Sequence, residues 1–174
     1  MRHCAGLVAV VSTISMLALP AADVLRSRDQ GAFWEALLFL RGRVRAILVD
    51  PADPRQIYVG AERLPRGHGF GTTGVVYHSA DGGLTWTFAA LAGARPPVVS
   101  LAADPLVPHG VLAGTSGAVF ASSDRGATWQ LLGGPLPPAR VVAIAADPFS
   151  PARLYVATSG ARAFVLAGRA KGDR

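Results

Sequence analysis

One eight-residue pattern recurs along the chain and limits what it can fold into. Ser79-Ala-Asp81-Gly-Gly83-Leu-Thr85-Trp86 returns 43 residues later as Ser122-Ser-Asp124-Arg-Gly126-Ala-Thr128-Trp129. A weaker copy, Ser27-Arg-Asp29-Gln-Gly31-Ala-Phe33-Trp34, precedes both and carries Phe33 in place of threonine. All three tryptophans of the chain occupy this one position. The residues before each box also agree: Val24-Leu25-Arg26, Val76-Tyr77-His78 and Val119-Phe120-Ala121. Apolar residues on both sides of a Ser-x-Asp-x-Gly stretch predict a hairpin. The aspartate accepts hydrogen bonds from the turn's own N–H groups. The glycine takes a positive φ without steric cost, and the tryptophan covers the apolar base of the hairpin.

A second motif is interleaved with the first. Asp50-Pro51, Asp104-Pro105 and Asp147-Pro148 each follow an apolar stretch, at spacings of 54 and then 43 residues. Seven residues after each aspartate comes another apolar run: Ile57-Tyr-Val-Gly, Val111-Leu-Ala-Gly and Leu154-Tyr-Val-Ala. Each unit therefore holds four short strands. Strand A ends at Asp-Pro, B is the Tyr-Val-Gly-like run, C enters the box and D begins at Trp. A four-stranded unit of about 43 residues, WD40/YVTN-like in length, predicts an all-β chain of antiparallel propeller blades. Composition agrees: 20 Gly and 13 Pro in 174 residues suit many strands joined by turns. With 51% apolar and 16% charged residues, the chain is not intrinsically disordered.

On these boxes the sequence resembles the Asp-box, or BNR-repeat, β-propellers over about residues 23–160. That group includes sialidases, some glucan hydrolases, sortilin-type receptor propellers and photosystem II assembly factors. The resemblance implies structural roles for Ser27, Asp29, Gly31 and Trp34, for Ser79, Asp81, Gly83 and Trp86, and for Ser122, Asp124, Gly126 and Trp129. It implies no single activity, because a fold hosts many functions.

The strand count is incomplete. Residues 23–43 supply strands C and D, 44–97 and 98–140 are whole blades, and 141–160 supply A and B. Segment 161–174 has neither box nor tryptophan and reads as an irregular basic tail. About three blades' worth is short of the roughly four to eight that close a propeller. The chain thus reads as a fragment, an open arc, or half of a ring closed by a second copy, with open blade edges that invite self-association. Residues 1–22 have the layout of an export signal: Arg2 and His3, an apolar run from Ala5 to Leu19, then Pro20-Ala-Ala. The run is shorter than the ~20 residues of a membrane-spanning helix. The other readings of the same run are an uncleaved anchor and a strand pair of a preceding repeat.

Functional residues follow by elimination. Of 11 acidic residues, three are box aspartates and three belong to Asp-Pro turns. Only Glu62 then stands near a plausible binding face, whereas glycoside hydrolysis ordinarily needs two carboxyls. The Arg-Ile-Pro segment of sialidases is absent. Gly69-Phe-Gly71-Thr-Thr-Gly74 matches a dinucleotide loop, but a strand follows it rather than a helix. One cysteine, Cys4, excludes an internal disulfide and a structural zinc site. The four histidines show no ligand spacing, so no cofactor or metal is expected.

The net charge is +6, and 16 of 17 basic residues are arginine. In an up-and-down blade the A–B and C–D turns share one end, while the B–C and D–A connections share the other. The latter end gathers Arg41, Arg43, Arg63, Arg66, Arg95 and Arg140, with His68 and Phe70 in the long 62–74 insertion. Convergent guanidinium groups favour an anionic partner, here an acidic glycan or an acidic protein segment. Nucleic acid is not expected, because no set of stacking aromatics accompanies the arginines. The predicted function is a non-enzymatic binding or assembly scaffold. Its alternative is a fragment of an exported sialidase-like hydrolase whose catalytic blades lie elsewhere.

Overall fold

A computed structural model of the chain describes residues 7–10, 24–38, 42–63, 73–91, 97–133, 141–147, 149–150, 152–159 and 162–166. They form fourteen strands and no helix. Sheet 1 contains β1 (Leu7–Val10), β2 (Val24–Ser27) and β3 (Glu35–Leu38), in that order. Sheet 2 contains β4 (Gly42–Val49), β5 (Ile57–Arg63), β6 (Thr73–Ser79) and β7 (Thr87–Ala90). Sheet 3 contains β8 (Ser100–Asp104), β9 (Gly110–Thr115), β10 (Ala118–Ser122) and β11 (Gln130–Leu132). Sheet 4 contains β12 (Val141–Ala146), β13 (Leu154–Thr158) and β14 (Arg162–Leu166). Every strand pairs antiparallel with its neighbours in sequence, so each sheet is an up-and-down blade.

The whole blades fall where the boxes and Asp-Pro turns put them; the ends do not. Arg162–Leu166, expected to be irregular, is a strand paired with β13 from Thr158↔Arg162 to Leu154↔Leu166. It lies one residue out of the 43-residue register of β10 (Ala118–Ser122). A C strand needs only backbone pairing and strand-forming side chains, and Ala-Phe-Val-Leu supplies them without a box. At the other end, β1 pairs with β2 from Leu7↔Ser27 to Val10↔Val24. Part of the apolar run read as an export signal thus occupies the B position of sheet 1, as a preceding repeat would. The outer sheets have three described strands each, not two.

The core lies between sheets. Strand residues alternate between two faces, so each blade sends one set of side chains backward and one forward. Val24 and Leu38 of sheet 1 meet Val59 of sheet 2. Tyr58 and Val76 meet Val111, Ala113, Phe120 and Trp129 of sheet 3. Leu112 and Val119 then meet Val141, Ile144, Leu154 and Val156 of sheet 4. Strand B carries a glycine where the next sheet's strand A, or the segment just before it, comes closest. A Cβ on Gly60 would stand 2.7 Å from Val98, and one on Gly114 2.8 Å from Val141 and Ile144.

Candidate functional site

The boxes are built almost alike. Ser79 Oγ accepts the Gly83 amide at 2.7 Å and donates to Asp81 Oδ1 at 2.8 Å. Asp81 then accepts the Thr85 amide at 2.9 Å and its hydroxyl at 2.6 Å. Ser122, Asp124, Gly126 and Thr128 repeat this set. In the first box Ser27 and Gly31 keep their bond, and Asp29 accepts the Phe33 amide at 2.9 Å, but Phe33 has no hydroxyl to give. The residue after each aspartate is left-handed whether or not it is glycine: Gln30 at φ 60°, Gly82 at 73° and Arg125 at 59°.

These bonds favour the ionised carboxylate. The Thr85 hydroxyl, then its amide and the Ser79 hydroxyl, hold Asp81 well below the usual carboxylate range. Asp29 is lowered chiefly by the Phe33 amide. Burial opposes ionisation of Asp124, but the Thr128 and Ser122 bonds outweigh it and its pKa is also lowered. Box aspartates are therefore spent inside their own turns.

The second and third boxes also clamp the preceding sheet. Gly83 faces the Leu37 side chain, and Gly126 faces the Tyr58 ring. Trp86 Nε1 donates to Leu37 O at 3.1 Å as well as to Gly83 O. Trp129 is buried and donates to Gly126 O, whereas Trp86 and Trp34 are half-buried. Beneath the third box lies a polar cluster that sequence reasoning missed. Tyr58 stacks on His78 with ring centroids 4.6 Å apart. His78 Nε2 lies 2.8 Å from Gln56 Oε1, and His109 Nδ1 lies 2.9 Å from Asp50 Oδ2 across the sheet 2–sheet 3 boundary. The Tyr58 hydroxyl is buried without a hydrogen-bond partner among the described residues. Burial, then the Asp50 charge, push its pKa up to about 12. Burial, then the Arg125 charge, lower that of His78. The advance signal was Tyr58, an aromatic between aliphatic Ile57 and Val59 at the start of β5.

The opposite end holds the arginines only in part. Arg43 is exposed on β4, opposite Glu62 of β5 in register. Glu62 is taken by Arg45 at 3.0 Å. The backbone of Arg63 pairs with Gly42 and Thr73. Arg41, Arg66, His68, Phe70, Arg95 and Arg140 lie outside the described residues. Gly74 sits in β6 opposite Glu62, so the dinucleotide-like pattern runs into a strand.

Nine carboxylates are described, and each has a partner within the chain. Besides the box aspartates and Glu62, Glu35 holds Arg26 and Arg28, and Asp53 holds Arg55. Asp50, Asp104 and Asp147 accept amides of their own turns, from Ala52, Leu106 and Phe149. No group of three or more His, Cys, Asp or Glu able to hold a metal ion occurs among the described residues. No helix among them is long and apolar enough to cross a membrane.

No protein-family model matches the chain, and no curated protein matches it. Solved structures do. A GH74 xyloglucanase from Xanthomonas campestris is similar at 21% identity and TM-score 0.65, over 83% of this chain and 26% of that one. A GH74 enzyme from Niastella koreensis is similar at 18% identity and TM-score 0.68, over 95% of this chain and 27% of that one. An ancestral GH74 enzyme is similar at 20% identity and TM-score 0.63, over 82% and 20% of the two chains. The chain thus spans about a quarter of the length of these proteins or less. At such identities the likeness establishes the fold: successive four-stranded blades of a β-propeller.

Proposed function

We propose that the chain is a non-enzymatic Asp-box propeller scaffold that binds an acidic glycan or an acidic protein segment at its arginine-bearing end. The observation that carries this reading is the state of the carboxylates. A glycosidase needs two that face a substrate, and all nine described here are engaged by amides, hydroxyls, arginines or His109. Glu62, the sole acidic candidate on the arginine end, is one of them. Its pairing with Arg45 occupies that carboxylate, while Arg43 is exposed on β4 and the sequence adds Arg41, Arg63 and Arg66 on either side of these strands.

Titration against acidic oligosaccharides at low and high salt tests the reading. Binding is expected at low salt and should weaken as salt rises, because exposed charges are screened beyond ~8–10 Å. Double replacement of Arg63 and Arg66 by Ala should weaken binding without moving the unfolding midpoint. Absence of binding at low salt sinks the proposal. Release of sugar would favour the rival reading, a piece of a longer glycoside hydrolase. The xyloglucanase neighbours, of which the chain spans about a quarter, motivate that rival.

Export belongs to the same proposal and rests on Arg2, His3 and the apolar run after them. The intact mass of secreted protein decides it. A mature chain starting near residue 23 would lose β1 from sheet 1, and one that keeps Leu7–Val10 would retain it.

A further inference from the structure

The boundary between sheets 2 and 3 differs from its neighbours at one repeated position. The residue just before each box serine is Arg26 in sheet 1, His78 in sheet 2 and Ala121 in sheet 3. Across the boundary, Arg26 and His78 each meet the residue that follows the aspartate of the next box. For Arg26 that residue is Gly82. Its carbonyl accepts a bond from the Arg26 guanidinium, and a Cβ there would stand 3.4 Å from Arg26 Nη1. Glu35 holds the same guanidinium, so this boundary carries a permanent, paired charge. For His78 the residue is Arg125, whose charge acts on the imidazole. Arg125 is exposed, left-handed at φ 59°, and held by no ion pair among the described residues. A side chain costs more than glycine in that backbone conformation.

The partners of His78 fix its proton. Gln56 Nε2 donates to Asp53 Oδ2 at 3.3 Å, so Gln56 Oε1 is turned to accept, and the imidazole hydrogen sits on Nε2, 2.8 Å away. Nδ1 has no hydrogen-bond partner among the described residues. Four groups face the ring: Tyr58, stacked on it; Gln56, in the turn before β5; Asp81, of its own box; and Arg125, of the next. Asp81 is already engaged by Ser79 and Thr85. Farther out, Asp53 holds Arg55, and His109 spans the boundary to Asp50. A second proton, on Nδ1, makes an imidazolium that Arg125 repels.

The geometry points to a pH-responsive joint: protonation of His78 sets two cations against each other across the sheet 2–sheet 3 boundary, and the third box lifts from Tyr58. Gly126 and Trp129 rest on that ring and lose their cover when it does. Sheets 1 and 2 stay clasped through Arg26. A charge on His109 adds attraction to Asp50 and resists the opening.

Burial, then the Arg125 charge, hold His78 below its ordinary value of 6.5. A base lowered in this way stabilises the fold fully above the unfolded value, and that contribution is lost as pH falls below it. The response therefore lies below about pH 6.5, where carboxylates still keep their charge.

Amide hydrogen exchange of the full chain, read by NMR and corrected for intrinsic rates, tests this. The Gly126 and Gly83 amides make the same bond in successive boxes. Between about pH 7.5 and about pH 5.5, opening at Gly126 should rise about threefold or more, and opening at Gly83 should change little. His78→Gln has no titrating ring and should keep the Gly126 rate flat. Arg125→Gly carries the glycine of the second box, so it should fold as the parent does. It should flatten the response and move the titration of the His78 ring up toward 6.5. If His78→Gln fails to fold, Arg125→Gly and the ring titration carry the test. A Gly126 rate that stays flat in the parent overturns the proposal. So does a response that survives either substitution, which would assign the pH dependence to His109 and Asp50.

Discussion

Tyr58 and Tyr155 hold the same place in strand B of their sheets and live in different surroundings. Tyr58 is fully buried beneath Gly126 and Trp129 of the next box, and its hydroxyl has no partner. Tyr155 is 42% exposed, and its hydroxyl lies 3.4 Å from Asp147 Oδ2. Residue and strand are equal in the two sheets, so the difference belongs to the neighbour. In a propeller a forward-facing residue becomes core only when the following blade arrives. The stability of each blade is therefore held largely at its boundaries, as in other repeat proteins.

The largest expected effect follows directly. Tyr58→Ala should cost ~3–5 kcal/mol, the usual range for truncating a buried aromatic. Trp129→Ala, which opens the other side of the same contact, belongs in that range. Tyr155→Ala, at a side chain that is 42% exposed, should cost clearly less, about 1 kcal/mol, the centre of the range for single substitutions. Denaturant unfolding of the three variants measures the contrast. Equal losses for Tyr58 and Tyr155 would break the comparison.

The glycine positions give the next effect. Gly114→Ala forces a methyl into Val141 and Ile144, and overpacking of this kind costs ~1–3 kcal/mol. Gly60→Ala should behave alike against Val98. Ala157→Gly meets no such neighbour, and the loss should stay within the ~0.5–1 kcal/mol of backbone entropy that glycine brings to a strand. Thermal midpoints of the three proteins rank them.

A smaller change of opposite sign is expected from Tyr58→Phe. A buried hydroxyl without a partner costs ~1–3 kcal/mol. Its removal keeps the stack on His78 and should raise stability by about 1 kcal/mol. Loss of stability instead would show that the hydroxyl holds a bond the described residues do not supply, such as one to a buried water.

What the sequence made legible divides along the same line. Box hairpins could be read because Ser, Asp, Gly and Thr close their own turn within eight residues, with little help from elsewhere. The Asp-Pro turns were readable for the same local reason. Contacts between sheets were not. The Asp50–His109 pair joins residues 59 apart in the chain, and no pattern announces it. β14 was missed because the search followed the box, which that strand lacks. β1 stood as one of three readings of its segment, because a short apolar run suits an export signal, an anchor and a strand alike. The change from Gly60 and Gly114 to Ala157 was visible in the repeats, but its meaning required the distance to the next strand A. The arginine end was read from strand order alone, and six of its eight named residues lie outside the described residues.

The smallest effect concerns the first box, where Phe33 replaces the threonine of the other two. Asp81 takes its largest stabilisation as an anion from the Thr85 hydroxyl, and Asp29 has only amides and the Ser27 hydroxyl. Carboxyl titration by NMR should place Asp29 closer to the ordinary value of about 3.9 than Asp81. Phe33→Thr should then move Asp29 further down and leave Asp81 where it is. The sign of the linked stability follows from the direction of these shifts. A carboxylate whose folded pKa lies below its unfolded one stabilises the fold fully above the unfolded value, and that contribution is lost as pH falls through the folded one. Acid unfolding of the parent should therefore begin below about pH 4. Phe33→Thr should shift it slightly toward lower pH, since the added hydroxyl deepens one of six such shifts among the described residues, the others being at Glu35, Asp53, Asp81, Asp124 and Asp147. If the substitution leaves both Asp29 and the acid midpoint unmoved, the threonine hydroxyl is not what separates a full box from a degenerate one, and the left-handed backbone that all three share would have to account for the turn.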